Sequence, residues 1–178
     1  MQLELKLVTE PHELLHRAVR PFDFNEYDID DVERQMVDIM IKNHGIGLAA
    51  NQVGLDAAVF VWGSYNIKEF PNPHPIVNPR IIEVSDTKIL DREGCLSFPN
   101  LWLNVVRPEW IIVEYQNRKA ELERIKVDGY LAKCFQHEFD HLHGICYTDR
   151  VGKAKLNLAL RKQRNLNGRT QQRTPASV

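Results

Sequence analysis

A chain of 178 residues, 43% hydrophobic and 26% charged, has the length and composition of one ordinary globular domain with its own core. No apolar run approaches the roughly 20 residues a membrane span needs, and the start Met1-Gln2-Leu3-Glu4-Leu5-Lys6 lacks the basic-then-apolar order of a secretory signal. The net charge of −1 hides an asymmetry: eight basic residues and no acidic one follow Asp149, so an acidic body carries a basic tail.

Residues 28–44 read as a helix. Asp28 can cap it, Ile29, Val32, Met36, Ile39 and Met40 form one apolar stripe, and Gly45 follows as the stop. Residues 45–52 then read as a small-residue loop where backbone can approach a ligand closely. Residues 57–62 read as a buried strand, and residues 63–75, with Pro71, Pro73 and Pro75, as a loop. Strand signals return at residues 76–84, 102–106, 110–115 and 120–127. Asp128 is expected to cap a helix from about residue 129 to 143, ended by Gly144. A last, weakly amphipathic helix runs from Lys153 to about Leu166. Residues 167–178 are polar and basic and are expected to be disordered. Strands dominate the middle and helices the ends, so the class is α+β: one catalytic domain over residues 1–166, followed by the tail.

The sharpest chemical signal is His137-Glu138-Phe139-Asp140-His141 inside a predicted helix. A spacing of four puts both imidazoles on one face, one turn apart, where they can share one metal ion. Glu138 sits beside that face and can deprotonate water next to the metal. A catalytic site of this kind wants three protein ligands. Downstream there is no suitable donor: His143 faces away, and the one later carboxylate is Asp149. The third ligand is therefore expected upstream, where Cys95, following Gly94, is a candidate thiolate. Cys134 and Cys146 read as small buried hydrophobes. Three widely spaced cysteines make no disulfide framework and suggest a reducing compartment or a chain in which one thiol has a task. Gln52, at the end of the glycine-containing loop, can donate a hydrogen bond to a developing oxyanion.

Residues 45–52, 93–97 and 136–144 together resemble the three motifs of the peptide deformylases, in the family's order and at roughly its spacing. The resemblance extends over most of residues 5–150. It implies that Cys95, His137 and His141 hold one divalent metal ion, Fe2+ by preference, with Zn2+, Ni2+ or Co2+ able to substitute. It implies that Glu138 is the catalytic acid/base, and that Gln52 and the backbone N–H of Leu96 are oxyanion donors. By the same analogy Ile46, Gly47, Gly94, Tyr130, Lys133, Cys134 and His137 line an apolar pocket for methionine. The implied reaction removes the formyl group from the N-terminal formylmethionine of nascent polypeptides, in the cytoplasm or the equivalent compartment of translation. The implied fold packs the metal-binding helix among antiparallel strands.

Three residues depart from the family pattern. Lys133 and Asp91 stand where apolar residues are usual, and Trp102 where an arginine is frequent. Lys133 and Asp91 are expected to pair at the pocket rim, the lysine stem covering the methionine side chain; the alternative is two solvated charges. Glu93, Asp140 and Arg107 are candidates to orient the histidines. The basic C-terminal segment suggests a ribosomal RNA surface as partner, with a plain solvated charge run as the alternative. Rival readings of the whole chain are a zinc endopeptidase with an open cleft and a non-catalytic, metal-stabilised binding module.

Overall fold

The computed structural model describes residues 3–68 and 71–171, with side chains through residue 165. Ten regular elements follow one another: α1 (Ile29–Lys42), β1 (Gly47–Ala49), β2 (Val59–Trp62), β3 (His74–Val84), β4 (Lys88–Cys95), β5 (Phe98–Pro108), β6 (Trp110–Gln116), β7 (Leu122–Asp128), α2 (Gly129–Leu142) and α3 (Lys153–Gln171). Short 3-10 turns at Glu13–His16, Ala50–Val53 and Tyr147–Arg150 join them. Strands β1-β2-β3-β6-β7 form a five-stranded antiparallel sheet, and β4-β5 a separate antiparallel hairpin. The class is α+β, as the strand-rich middle and helical ends predict.

Side-chain alternation along β2 explains why this strand is buried on both faces. Val59 and Val61 point into a cluster with Val32, Met36 and Met40 of α1. Phe60 and Trp62 point the other way, onto Ala132 and Phe135 of α2. Phe60 and Phe135 meet edge-on with centroids 4.9 Å apart. Each such buried side chain stabilises the fold by about 1.5–3 kcal/mol relative to exposure. A third cluster joins Leu101, Leu103 and Val105 of β5 to Tyr147 and to Leu156, Ala159 and Leu160 of α3.

Helix α2 touches β1, β2, β6 and β7 of the large sheet and β5 of the hairpin, so it bridges both sheets. Its start differs from the sequence expectation. Asp128 occupies the N-cap position, but its side chain makes no capping hydrogen bond. The chain enters instead through Gly129 at φ +55°, whose N–H donates to Glu109 O at 2.8 Å. Its end matches: Gly144 adopts φ +70° and lies so close to the Arg17 backbone that a Cβ there would stand 2.5 Å from it.

Three further differences have physical causes. The segment expected as a small-residue loop contains β1 and a 3-10 turn, because β2 supplies a partner strand. Strand β4 carries no apolar alternation, since its inward positions Glu93 and Cys95 are polar; it is held by pairing with β5. Helix α3 runs past Leu166 to Gln171, so residues 167–171 of the expected disordered tail are helical. Residues 172–178 lie outside the described residues. No helix among those described is long and apolar enough to cross a membrane.

Candidate metal centre and active site

Helical spacing in α2 brings His137 and His141 together, with ring centroids 5.0 Å apart. Cys95 arrives from the end of β4, where the register with β5 shifts just before the two-residue turn Leu96-Ser97. Its Sγ lies 3.2 Å from His141 Nε2. The three donor atoms all lie within 4.8 Å of one another, a spread that one ion with bonds of roughly 2.0–2.3 Å can bridge.

The two rings respond differently to their surroundings. Burial lowers the His141 pKa well below the ordinary value, and the charges on His137 and Arg107 add to this. A neutral imidazole is the form that ligates metal. Burial also works against a charged His137, but hydrogen bonds to Cys95 and Glu93 outweigh it and raise the ring to about 10. A thiolate with two imidazoles suits both zinc and ferrous iron.

Behind the ligands sits a buried ionic chain. His137 Nδ1 donates to Glu93 Oε2 at 3.0 Å. Arg107 clamps Glu93 with two hydrogen bonds, 2.6 and 3.0 Å, and donates a third to Asp140 at 2.7 Å. Arg150 also binds Asp140. Burial pushes the Glu93 carboxyl up, but the bonds from His137 and Arg107 prevail and hold it at about 2. The structure thus assigns the three supporting candidates: Glu93 orients His137, Arg107 holds Glu93, and Asp140 anchors Arg107 to α2. His141 is steadied differently: Asn51 Nδ2 donates to its backbone carbonyl at 2.6 Å and to Leu14 O at 3.0 Å. Neither Asn51 nor Arg150 stands out in the sequence, although Asn51 adjoins Gln52.

Glu138 faces the cleft beside the ligands. Burial raises its pKa to about 7, and its Oε2 has no hydrogen-bond partner among the described residues. Gly47 makes room for it: a Cβ at Gly47 would lie 2.5 Å from Glu138 Oε1. Gln52 is fixed at both ends of its amide. Its Oε1 accepts from Ala49 N–H at 2.8 Å, and its Nε2 donates to Cys95 Sγ at 3.3 Å and Ser97 Oγ at 3.2 Å. Ser97 is a partner that the sequence motif contains but does not explain.

A cleft of about 580 Å³ opens in front of the site. Its lining includes Ile46, Gly47, Gly94, Tyr130, Lys133, Cys134 and His137, expected around methionine, and Leu96, expected as an oxyanion donor, but not Asp91. Burial pushes the Cys134 thiol up to about 12, so it serves as an apolar wall. Lys133 is buried, pairs with Asp91, and lies over the Tyr130 ring with Nζ 4.1 Å from the centroid. Of the two readings of these charges, the structure takes the pair.

A half-buried thiol and two buried imidazoles beside a carboxylate with one bare oxygen, in a cleft, form the centre of a metal-dependent hydrolase. The comparisons narrow the class. The family model described as polypeptide deformylase matches residues 4–157. A peptide deformylase of Bartonella henselae is 35% identical over 88% of this chain and 89% of its own length. The crystal structure of a Synechococcus elongatus peptide deformylase in complex with actinonin superposes with TM-score 0.82 at 35% identity, covering 89% of this chain and 87% of that one. A Legionella pneumophila peptide deformylase gives TM-score 0.83 at 32% identity, covering 96% and 98%. The chain belongs to the polypeptide deformylase family.

The ionic chain yields a stability prediction. Replacing Arg107 with Met leaves Glu93 and Asp140 buried without their shared cation, which typically costs about 3–5 kcal/mol. Urea denaturation of Arg107→Met against the parent measures it, and a loss below about 1 kcal/mol would contradict the role given to Arg107.

Proposed function

We propose that Cys95, His137 and His141 hold one divalent cation, ferrous iron by preference, and that the chain uses it to remove the formyl group from N-terminal formylmethionine, releasing formate. The observation that carries this reading is the bare Oε2 of Glu138 beside the three convergent donors. When bound, the ion supplies Lewis-acid charge stabilisation and acidifies water toward a pKa of about 7. Glu138 takes a proton from the attacking water and delivers it to the leaving amine; its raised pKa suits both transfers at neutral pH. Gln52 Nε2 and the Leu96 N–H stabilise the oxygen of the formyl group as it gains charge, each donor being worth about 3 kcal/mol of barrier. The Ser97 hydroxyl is what Gln52 Nε2 releases to do so. Formyl is the smallest acyl group, and the close approach of Gly47 to Glu138 favours it over larger ones.

Residues 1–166 would form the catalytic unit, working wherever formylmethionine-initiated chains emerge. Replacing Glu138 with Gln removes the proton carrier without touching a ligand. Metal content stays at one ion per chain by elemental analysis, while formate release from a formyl-Met tripeptide falls by at least about 100-fold. Retained turnover would contradict the assignment.

Methionine specificity is set by an apolar wall to which Lys133 contributes its stem, its charge answered by Asp91. Lys133→Met and Asp91→Asn, alone and together, are expected to couple by more than about 0.5 kcal/mol in kcat/KM. Additive effects would mean that the pair plays no part in specificity.

A second reading concerns the partner. Lys153, Arg161 and Arg164 fall within about a quarter-turn of one another on α3, and all three are exposed. This face suits a phosphate surface such as ribosomal RNA. Reversing Arg161 and Arg164 to Glu should weaken cosedimentation with ribosomes at low salt; unchanged cosedimentation across salt would retire the idea.

A further inference from the structure

Another depression, between α3 and the outer face of the β4–β5 hairpin, has a volume of about 430 Å³. We propose that this groove is a distal subsite for the downstream part of the same peptide substrate, selecting segments that mix acidic and apolar residues. The proposal rests on the deformylase reading and deepens it.

The groove is continuous with the catalytic cleft. Arg92, Asn100 and Trp102 line both the groove and the catalytic cleft. Trp102 forms the saddle between them. Its ring lies so close over Gly94 that a Cβ there would meet it at 2.9 Å, and the Arg92 guanidinium stacks 4.7 Å from its centroid. A polypeptide whose first residue sits at the metal centre must carry its later residues out of the cleft, and the groove begins where that path crosses Trp102.

The lining of the groove is both apolar and cationic. The groove combines apolar walls, Leu90, Leu158 and Ala159, with the cations Arg92, Lys155 and Lys162. No acidic side chain lines it among the described residues. Leu90 and Arg92 face it because alternation along β4 sends Asp91 onto Lys133 and Glu93 inward. Lys155, Leu158, Ala159 and Lys162 recur at helical spacing on one side of α3. This side differs from the one that carries Lys153, Arg161 and Arg164.

Helix α3 is held in place. Leu156, Ala159 and Leu160 bind α3 to the third core cluster. Gln163 Nε2 donates to Pro99 O at 2.6 Å, tying the helix to the rim of the catalytic cleft. The groove wall is therefore fixed relative to the metal centre, which a subsite reading several residues downstream requires.

The test compares a formyl-Met tripeptide with a formyl-Met octapeptide carrying Asp, Glu and Leu in its last four positions. At low salt the metal-loaded enzyme should process the octapeptide with kcat/KM higher by about fivefold, the scale of two or three partly exposed ion pairs, and the excess should shrink with salt. The double variant Lys155→Glu, Lys162→Glu, and separately Leu158→Asp, should lose that excess and leave tripeptide kcat/KM unchanged. Equal kcat/KM for both lengths, or a proportional loss on both, would overturn the subsite. Fluorescence anisotropy of the unformylated, labelled octapeptide reports the groove apart from turnover: tighter binding to the parent than to the double variant supports it, and equal binding overturns it. A concentration-dependent dimer abolished by the same variants, with no length preference, would assign the groove to a second copy and likewise overturn the proposal. Failure to turn over the tripeptide would instead sink the deformylase reading.

Discussion

Arg107 lies almost wholly buried at the junction of the β4–β5 hairpin and α2, held by Glu93 on one side and Asp140 on the other. The two metal-ligand sources sit on different bodies: Cys95 on the hairpin, His137 and His141 on the helix. Apolar packing alone would let these bodies slide, because burial is non-directional. A guanidinium with hydrogen bonds in fixed directions sets their register instead. Such a network adds little net stability over an apolar replacement of similar volume. Its benefit is positional, since the bonds that fix hairpin to helix also carry Glu93 onto the His137 ring.

The same burial acts differently on each ionisable neighbour, and the differences match their tasks. Glu93 receives donors and stays charged, with its pKa at about 2. Glu138, one residue from a ligand and equally enclosed, has a bare oxygen and rises to about 7. Two carboxylates a few ångströms from one metal site are thereby separated into a permanent anion that orients and a group that can exchange a proton. His141 is kept neutral by burial and by the charges around it, the state a ligand needs.

Periodicity made the helices legible. The stripe of α1 and the pair of histidines in α2 appear in the structure where their spacing puts them, as do the long apolar strands. Charge made β4 illegible: Asp91, Arg92 and Glu93 give no strand signal, because their partners Lys133, Trp102 and Arg107 lie elsewhere in the chain. Only tertiary contact reveals that each is satisfied. The Lys133–Asp91 pair was accessible only through the family resemblance, which leads one to expect apolar residues at both positions. The roles of Asn51 and Ser97 were not, since a lone amide or hydroxyl carries no periodic signal. The length of α3 escaped for a related reason: Asn165, Asn167 and Gly168 are poor helix formers, and propensity is only a weak guide to where a helix stops.

Strand β4 does two jobs by virtue of the period of two. Asp91, Glu93 and Cys95 face α2 and supply a pocket partner, an orienting carboxylate and a metal ligand. Leu90 and Arg92 face α3 and line the outer groove. A slip of one residue would exchange the two sets, putting Arg92 against the metal site and Glu93 in solvent. The pairing of Glu93 with Arg107 opposes that slip directly, because it would bury an unpaired cation in place of a satisfied anion. One ionic contact thus guards the register that holds both the metal-facing and the groove-facing sides of the hairpin in place.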